Sequence, residues 1–173
     1  MLRELTSHAV GAWRGPVPRL REAAASVAQF VGAAADDVVL VDNATTGVNA
    51  VLRSFPLAAG DEVLVTDLGS GGVTNAVRHA ARERGATVTT ATIPYPFTAQ
   101  GIVDSCVQAA GSHTRLAVID HITADSALVL PLAAIASALR GRGVAVLADG
   151  AHAPAAAASS GRRRRVRRAC IPW

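Results

Sequence analysis

Two apolar periods alternate along most of this chain, and that alternation limits the folds open to it more than any other feature. Nearly continuous apolar runs of strand length occur at 38–41 (VVLV), 62–66 (EVLVT), 87–93 (TVTTATI), 116–119 (LAVI) and 144–148 (VAVLA). Between and around them, apolar residues recur at helical spacing: Leu20, Ala24, Val27 and Val31; then Val48, Val51, Leu52 and Phe55; then Val73, Val77 and Ala80. Two more helical faces follow, Ile102 with Cys106 and Ala109, and Leu132 with Ile135, Ala136 and Leu139. A strand that is apolar at successive positions needs cover on both faces, and the helices of crossover connections supply it. The chain is therefore expected to form an α/β fold, a mainly parallel sheet flanked by helices. The punctuation agrees: Pro16 and Pro18 open the first helix, Pro56 and Gly60 follow the second, and Gly85 closes the third. The Pro94-Tyr95-Pro96 segment reads as a turn.

Charge has to be divided along the chain before it is interpreted. The net charge of +4 would invite a nucleic-acid partner, but six of the 17 basic residues fall at 162–168, after all 13 acidic ones. The body up to Ser160 carries 11 − 13 = −2, so it offers no basic face. Every basic residue is arginine, and the sequence has no lysine. Half the residues are hydrophobic but only six are aromatic, so aliphatic side chains must fill the core. No apolar run approaches the ~20 residues that span a bilayer, and the first residues lack the apolar stretch of a secretory signal. A cytoplasmic protein is expected. Cys106 and Cys170 are too few and too far apart for a disulfide framework or a metal site.

Beyond Pro154 the periodicity ends in an Ala/Ser stretch and the arginine run. Three organisational segments are expected: an amino-terminal segment at 1–19, the α/β domain at 20–154, and a tail at 155–173. The tail suits a solvated, disordered segment, a nucleic-acid-binding arm, or a stretch that is not the natural continuation of the domain.

In open parallel sheets, ligands bind beyond the carboxyl ends of the strands. Three such loops carry polar groups here. The first is DNATTG at 42–47, where Asn43, Thr45 and Thr46 at a helix start suit either an anion such as phosphate or a simple helix cap. The second is DGAH at 149–152, where Asp149 can pair with a protonated ring nitrogen and His152 can reach the same ligand. A cap and an exposed loop histidine would serve as well. The third is DHITA at 120–124, which includes Thr123. Other motifs are missing: no G-x-G-x-x-G, no G-x-S-x-G, and no metal-ligand spacing among the five histidines. Gly69-Ser70-Gly71-Gly72 is glycine-rich but lacks the lysine of a nucleotide-phosphate loop.

Taken in order and spacing, VDNATTGVNAVL, GDEVLVTDLG, IDHITADSALVLPL and VLADGAHAP resemble the class V aminotransferase family of fold-type I pyridoxal-phosphate enzymes. The resemblance runs over about 20–154 and is nearest the isopenicillin-N-epimerase-like and cysteine-desulfurase-like branches. It implies the first half of the family's large domain, pyridoxal 5'-phosphate as cofactor, a small amino-acid substrate and a homodimer. On it, Ala44 and Thr45 would hold the cofactor phosphate with Asn43 and Thr46 nearby. Asp149 would pair with the pyridine nitrogen, His152 would meet the phenolic oxygen, and Thr123 would lie at that same edge. Ser70 occupies the region where relatives place a group that stacks on the ring, and serine cannot stack. The lysine that holds the cofactor covalently in the family has no counterpart, and arginine cannot replace it as a nucleophile. The expectation is therefore an epimerase-, desulfurase- or transaminase-type sequence whose chain as written is an inactive fragment, truncated or frame-shifted after 154. The alternative is a small α/β binding module that uses its arginine tail for nucleic acid.

Overall fold

The computed structural model describes residues 16–153, with the side chains of Pro16 and Val17 left aside. The tail and its arginine run lie outside the described residues. The chain divides into two units between Val41 and Asp42.

In the first unit, helix α1 (Pro16–Val31) starts at a proline, whose fixed φ and missing N–H suit a first turn. Gly32, at φ 76°, ends it in the left-handed conformation. Ala24 and Ala28 are the buried members of its apolar face, whereas Leu20, Val27 and Phe30 are exposed. A short 3-10 turn (Ala35–Asp37) follows. Arg21 holds that turn to α1 by donating to the carbonyls of Ala35 (3.0 Å) and Val38 (3.2 Å) and to the Asp36 carboxylate.

The run at 38–41, expected to be a strand, is irregular chain, and Val39 is 75% exposed. Strand propensity alone cannot make a strand. The backbone donors and acceptors need a partner edge, and among the described residues nothing pairs with this run.

The second unit follows the expected alternation: α2 (Ala44–Ser54), β1 (Glu62–Thr66), α3 (Gly71–Glu83), β2 (Thr87–Ala91), α4 (Ala99–Ala109), β3 (Thr114–Asp120), α5 (Leu132–Arg140) and β4 (Ala145–Asp149). The four strands form one sheet in the order β2-β1-β3-β4, parallel throughout. The register aligns Val63 with Leu116, Leu116 with Ala145 and Asp120 with Asp149.

Strand periodicity sends alternate residues into two cores. Leu64, Ala117, Ile119 and Val146 pack with Ile102 and Cys106 of α4 and Ile135 and Leu139 of α5. Val63, Val65, Leu116, Val118 and Leu147 pack on the other face with Val48 and Leu52 of α2 and Val73 and Val77 of α3. The sheet is covered on both sides, which explains why its strands show little polar alternation. The Cys106 thiol is buried, and burial, with Asp67 adding to it, pushes it up to about 11, so it serves as a small apolar side chain. Among the described residues no helix is long and apolar enough to cross a membrane.

Gly85 shows how tightly the α3–β2 turn is built. Its φ is +66°, and a Cβ added there would sit 3.2 Å from the Cβ of Ala59. Gly85→Ala is expected to cost about 1–2 kcal/mol of stability, measurable as a lower urea midpoint at unchanged slope.

Candidate functional site

The second core layer leads directly to the polar edge of the sheet. Leu116 and Val118 of β3 face α2 and α3, and so does Leu147 of β4. Two residues further on, the same face ends in Asp120 and Asp149, the last residues of their strands and neighbours in register. Both are buried, at 4% and 7% exposure. The starts of α2 and α3, the two helices on this face, supply the remaining groups.

At α2, Asn43 is the N-cap, in extended conformation, and its side chain accepts the Thr46 N–H at 2.8 Å. The cap expectation is met, and it commits Asn43 and Thr46 to each other. The N–H groups of Ala44 and Thr45 remain without an acceptor among the described residues, as first-turn donors do unless a side chain or ligand takes them. The Thr45 hydroxyl lies close to the start of α3: a Cβ built on Gly72 would be 3.9 Å from it and 4.0 Å from the Ser70 hydroxyl. With glycine at 72, the two hydroxyls flank open space rather than a methyl group.

At α3, Ser70 is the N-cap residue but makes no capping bond with its side chain. Its backbone N–H instead donates to Asp120 Oδ2 at 3.2 Å, which ties the glycine-rich turn after β1 to the end of β3. Asp149 accepts the Ala151 N–H on Oδ1 at 2.9 Å, closing a tight local turn, while its carbonyl takes the His121 N–H at 2.8 Å. Its second carboxylate oxygen has no hydrogen-bond partner among the described residues. Thr123 is committed to its own loop: its hydroxyl shares a hydrogen bond with Ser126 Oγ (2.7 Å) and accepts the Leu128 N–H (2.9 Å). Of the expected site residues, the structure brings Thr45, Ser70 and Asp149 to one edge. Asn43 and Thr46 form the cap beside it, and Thr123 is buried in the following turn.

Asp120 is the residue that sequence reasoning passed over. The readable signal was its period: it continues the Leu116, Val118 face by two. Its carboxyl is pushed up to about 6, first by burial and then by the negative charge of Asp149. The Ser70 N–H and the nearby His152 act in the opposite direction. His152 is exposed and follows Asp149 by three residues in the turn after β4. Among the described residues no group of histidine, cysteine or acidic side chains forms a metal site.

Fold and edge together define an open parallel α/β domain with a buried acidic pair beneath two open helix starts. Comparison with known proteins makes the class specific. Residues 17–158 match the family model described as aminotransferase class-V. The chain is 35% identical over 151 residues to a putative L-cysteine desulfhydrase 1 of Oryza sativa subsp. japonica, covering 78% of this chain and 31% of that protein. It is 32% identical over 136 residues to isopenicillin N epimerase of Streptomyces clavuligerus, covering 78% and 34%. Among solved structures it is similar to a C-DES mutant with glycine covalently linked to the PLP cofactor. That match has a TM-score of 0.80 and 25% identity, over 88% of this chain and 40% of that one. The cysteine desulfurase CsdA of Escherichia coli shares the fold, with a TM-score of 0.72 and 21% identity over 86% and 37%. This chain belongs to the class-V aminotransferase family. It spans about a third of the length of the curated relatives it matches.

Proposed function

We propose that this chain carries the cofactor cradle of a pyridoxal-phosphate-dependent enzyme that transforms an amino acid, by epimerisation, desulfuration or transamination. The supporting observation is Asp149: a buried carboxylate at a strand end, one oxygen held by the Ala151 N–H and the other uncommitted. Such a group suits a protonated ring nitrogen, and the open N–H groups of Ala44 and Thr45 with the Thr45 hydroxyl suit a phosphate at a helix start. The donor set therefore fits the cofactor's two ends. When bound, pyridoxal phosphate withdraws electrons from the substrate's Cα through its protonated ring. In this reading Asp149 keeps the proton on the ring nitrogen and His152 orients the phenolic oxygen. Ser70, which cannot stack, would lie on the ring side of the site, and Thr123 shapes the adjoining loop. The homodimer implied by the resemblance and the cytoplasmic location expected from the sequence belong to the same proposal. Sedimentation of the purified chain as a monomer would remove the dimer.

The sequence contains no lysine, so it supplies no side-chain amine to hold the cofactor covalently. This chain by itself is expected to bind pyridoxal 5'-phosphate non-covalently and without turnover. Titration with the cofactor, followed by calorimetry, tests the binding. Asp149→Ala should weaken binding roughly tenfold to a hundredfold, the effect of losing a hydrogen bond to a charged group. Equal affinity in the variant rejects the assignment of the ring-nitrogen partner.

A further inference from the structure

Parallel register sets Asp120 and Asp149 side by side at the ends of adjacent strands, on the face shared with α2 and α3. Both are buried, and among the described residues neither meets an arginine within ion-pair distance. Two neighbouring buried carboxyls without a cation repel each other when both are ionised, so the pair lacks one positive charge. Asp149 offers an unused oxygen, and Asp120 is anchored through the Ser70 N–H, which directs it toward the start of α3.

We propose that Asp120 is a positioning residue, the second member of a carboxylate dyad that holds the ring nitrogen of the cofactor in its protonated form, acting beside Asp149 rather than touching the reacting atoms. This deepens the cofactor reading above and rests on it. A single carboxylate pairs with a pyridinium; a second one beside it strengthens the field that keeps the proton on nitrogen. The Ser70 N–H fixes Asp120 for this task and couples it to the glycine-rich turn after β1.

The groups that bear on Asp120 are few. Asp149 and His152 come from the end of β4, His121 follows Asp120 in the chain, and the starts of α2 and α3 bring Thr45 and Ser70, which carry no charge. Asp120 stands near half-ionisation at about pH 6 in the ligand-free chain. A bound pyridinium favours its ionised form and so draws that midpoint downward. By linkage, affinity for a protonated ring rises as pH increases through about 6 and then levels.

The test uses pyridoxamine 5'-phosphate labelled with 15N in the ring, a probe that needs no lysine, with the full chain, Asp120→Asn and Asp149→Ala. The wild-type chain is expected to bind the probe more tightly at about pH 8 than at about pH 5, with a ring 15N shift typical of the protonated form throughout. Asp120→Asn retains an acceptor for the Ser70 N–H and should keep the turn. It should lose on the order of tenfold in affinity at the higher pH, show a flatter pH profile, and lose ring protonation at lower pH than wild type. An unchanged profile and shift in Asp120→Asn, with Asp149→Ala impaired, overturns the dyad and leaves the cofactor reading standing. Wild type and Asp149→Ala equally inert toward the probe overturns both. If the asparagine variant does not fold, the carboxyl-carbon titration of Asp120 in the wild-type chain decides: its midpoint must fall on adding the probe, and an unmoved midpoint rejects the proposal.

Discussion

Leu116→Ala is expected to cost about 2–5 kcal/mol of folding stability, the largest effect of any single truncation considered. Leu116 lies in β3, between β1 and β4, and none of its surface is exposed. It packs with Val63, Val118 and Leu147 of the sheet and with Leu52 of α2, so removing its outer carbons opens a void that neighbours on two strands and a helix cannot all move to fill. Typical domains are stable by only about 5–15 kcal/mol, so the loss takes a large share of what this one has. Urea denaturation followed by circular dichroism should show the midpoint fall without a change of slope. Val39→Ala is the control: Val39 is mostly exposed, and its truncation should stay within about 0.5 kcal/mol. Comparable losses in the two variants would mean that the second core layer is not packed as described.

Leu116 was readable from the sequence, and the reason is physical. The runs at 62–66, 116–119 and 144–148 are bounded by turn residues and buried on both faces, so local pattern and tertiary environment agree, and the strands appear within one or two residues of expectation. The helical faces of α2 to α5 were legible for the same reason. Val38–Val41 was not. Its composition resembles that of the true strands, but composition does not carry the partner edge that a ladder requires. The exposed Leu20 and Val27 on α1 show the same limit for helices, since a period reveals a face and not what lies against it. At the site, loop chemistry located Thr45, Ser70 and Asp149 by position, yet it could not distinguish the hydroxyl of Thr45, left open, from that of Thr123, used by its own turn. Nor could it reveal Asp120, whose significance comes from the register with Asp149 and not from its neighbours in sequence.

The same register makes a prediction of opposite sign to the first. Asp120→Asn should stabilise the chain at neutral pH. The folded-state carboxyl is raised from 3.8 to about 6, so ionising it opposes folding. Below about 3.8 the group is protonated in both states and contributes nothing; the penalty grows as pH rises through the window from 3.8 to about 6 and is complete above it. The shift is equivalent to roughly 3 kcal/mol. The polar groups around a buried strand-end carboxyl relax on ionisation and give it an effective dielectric well above that of a dry interior, so a gain of about 1–2 kcal/mol is expected above pH 6. Denaturation at several pH values should therefore give wild-type and variant curves that coincide in acid and separate toward neutrality. Equal stability of the two chains at every pH would dismiss the strained pair. A residue kept only for the fold would lose stability and ligand affinity together when replaced. Here the asparagine variant should become more stable while binding the ring-labelled probe less tightly, and opposite movements of that kind arise when stability is given up to maintain a charge that a ligand requires.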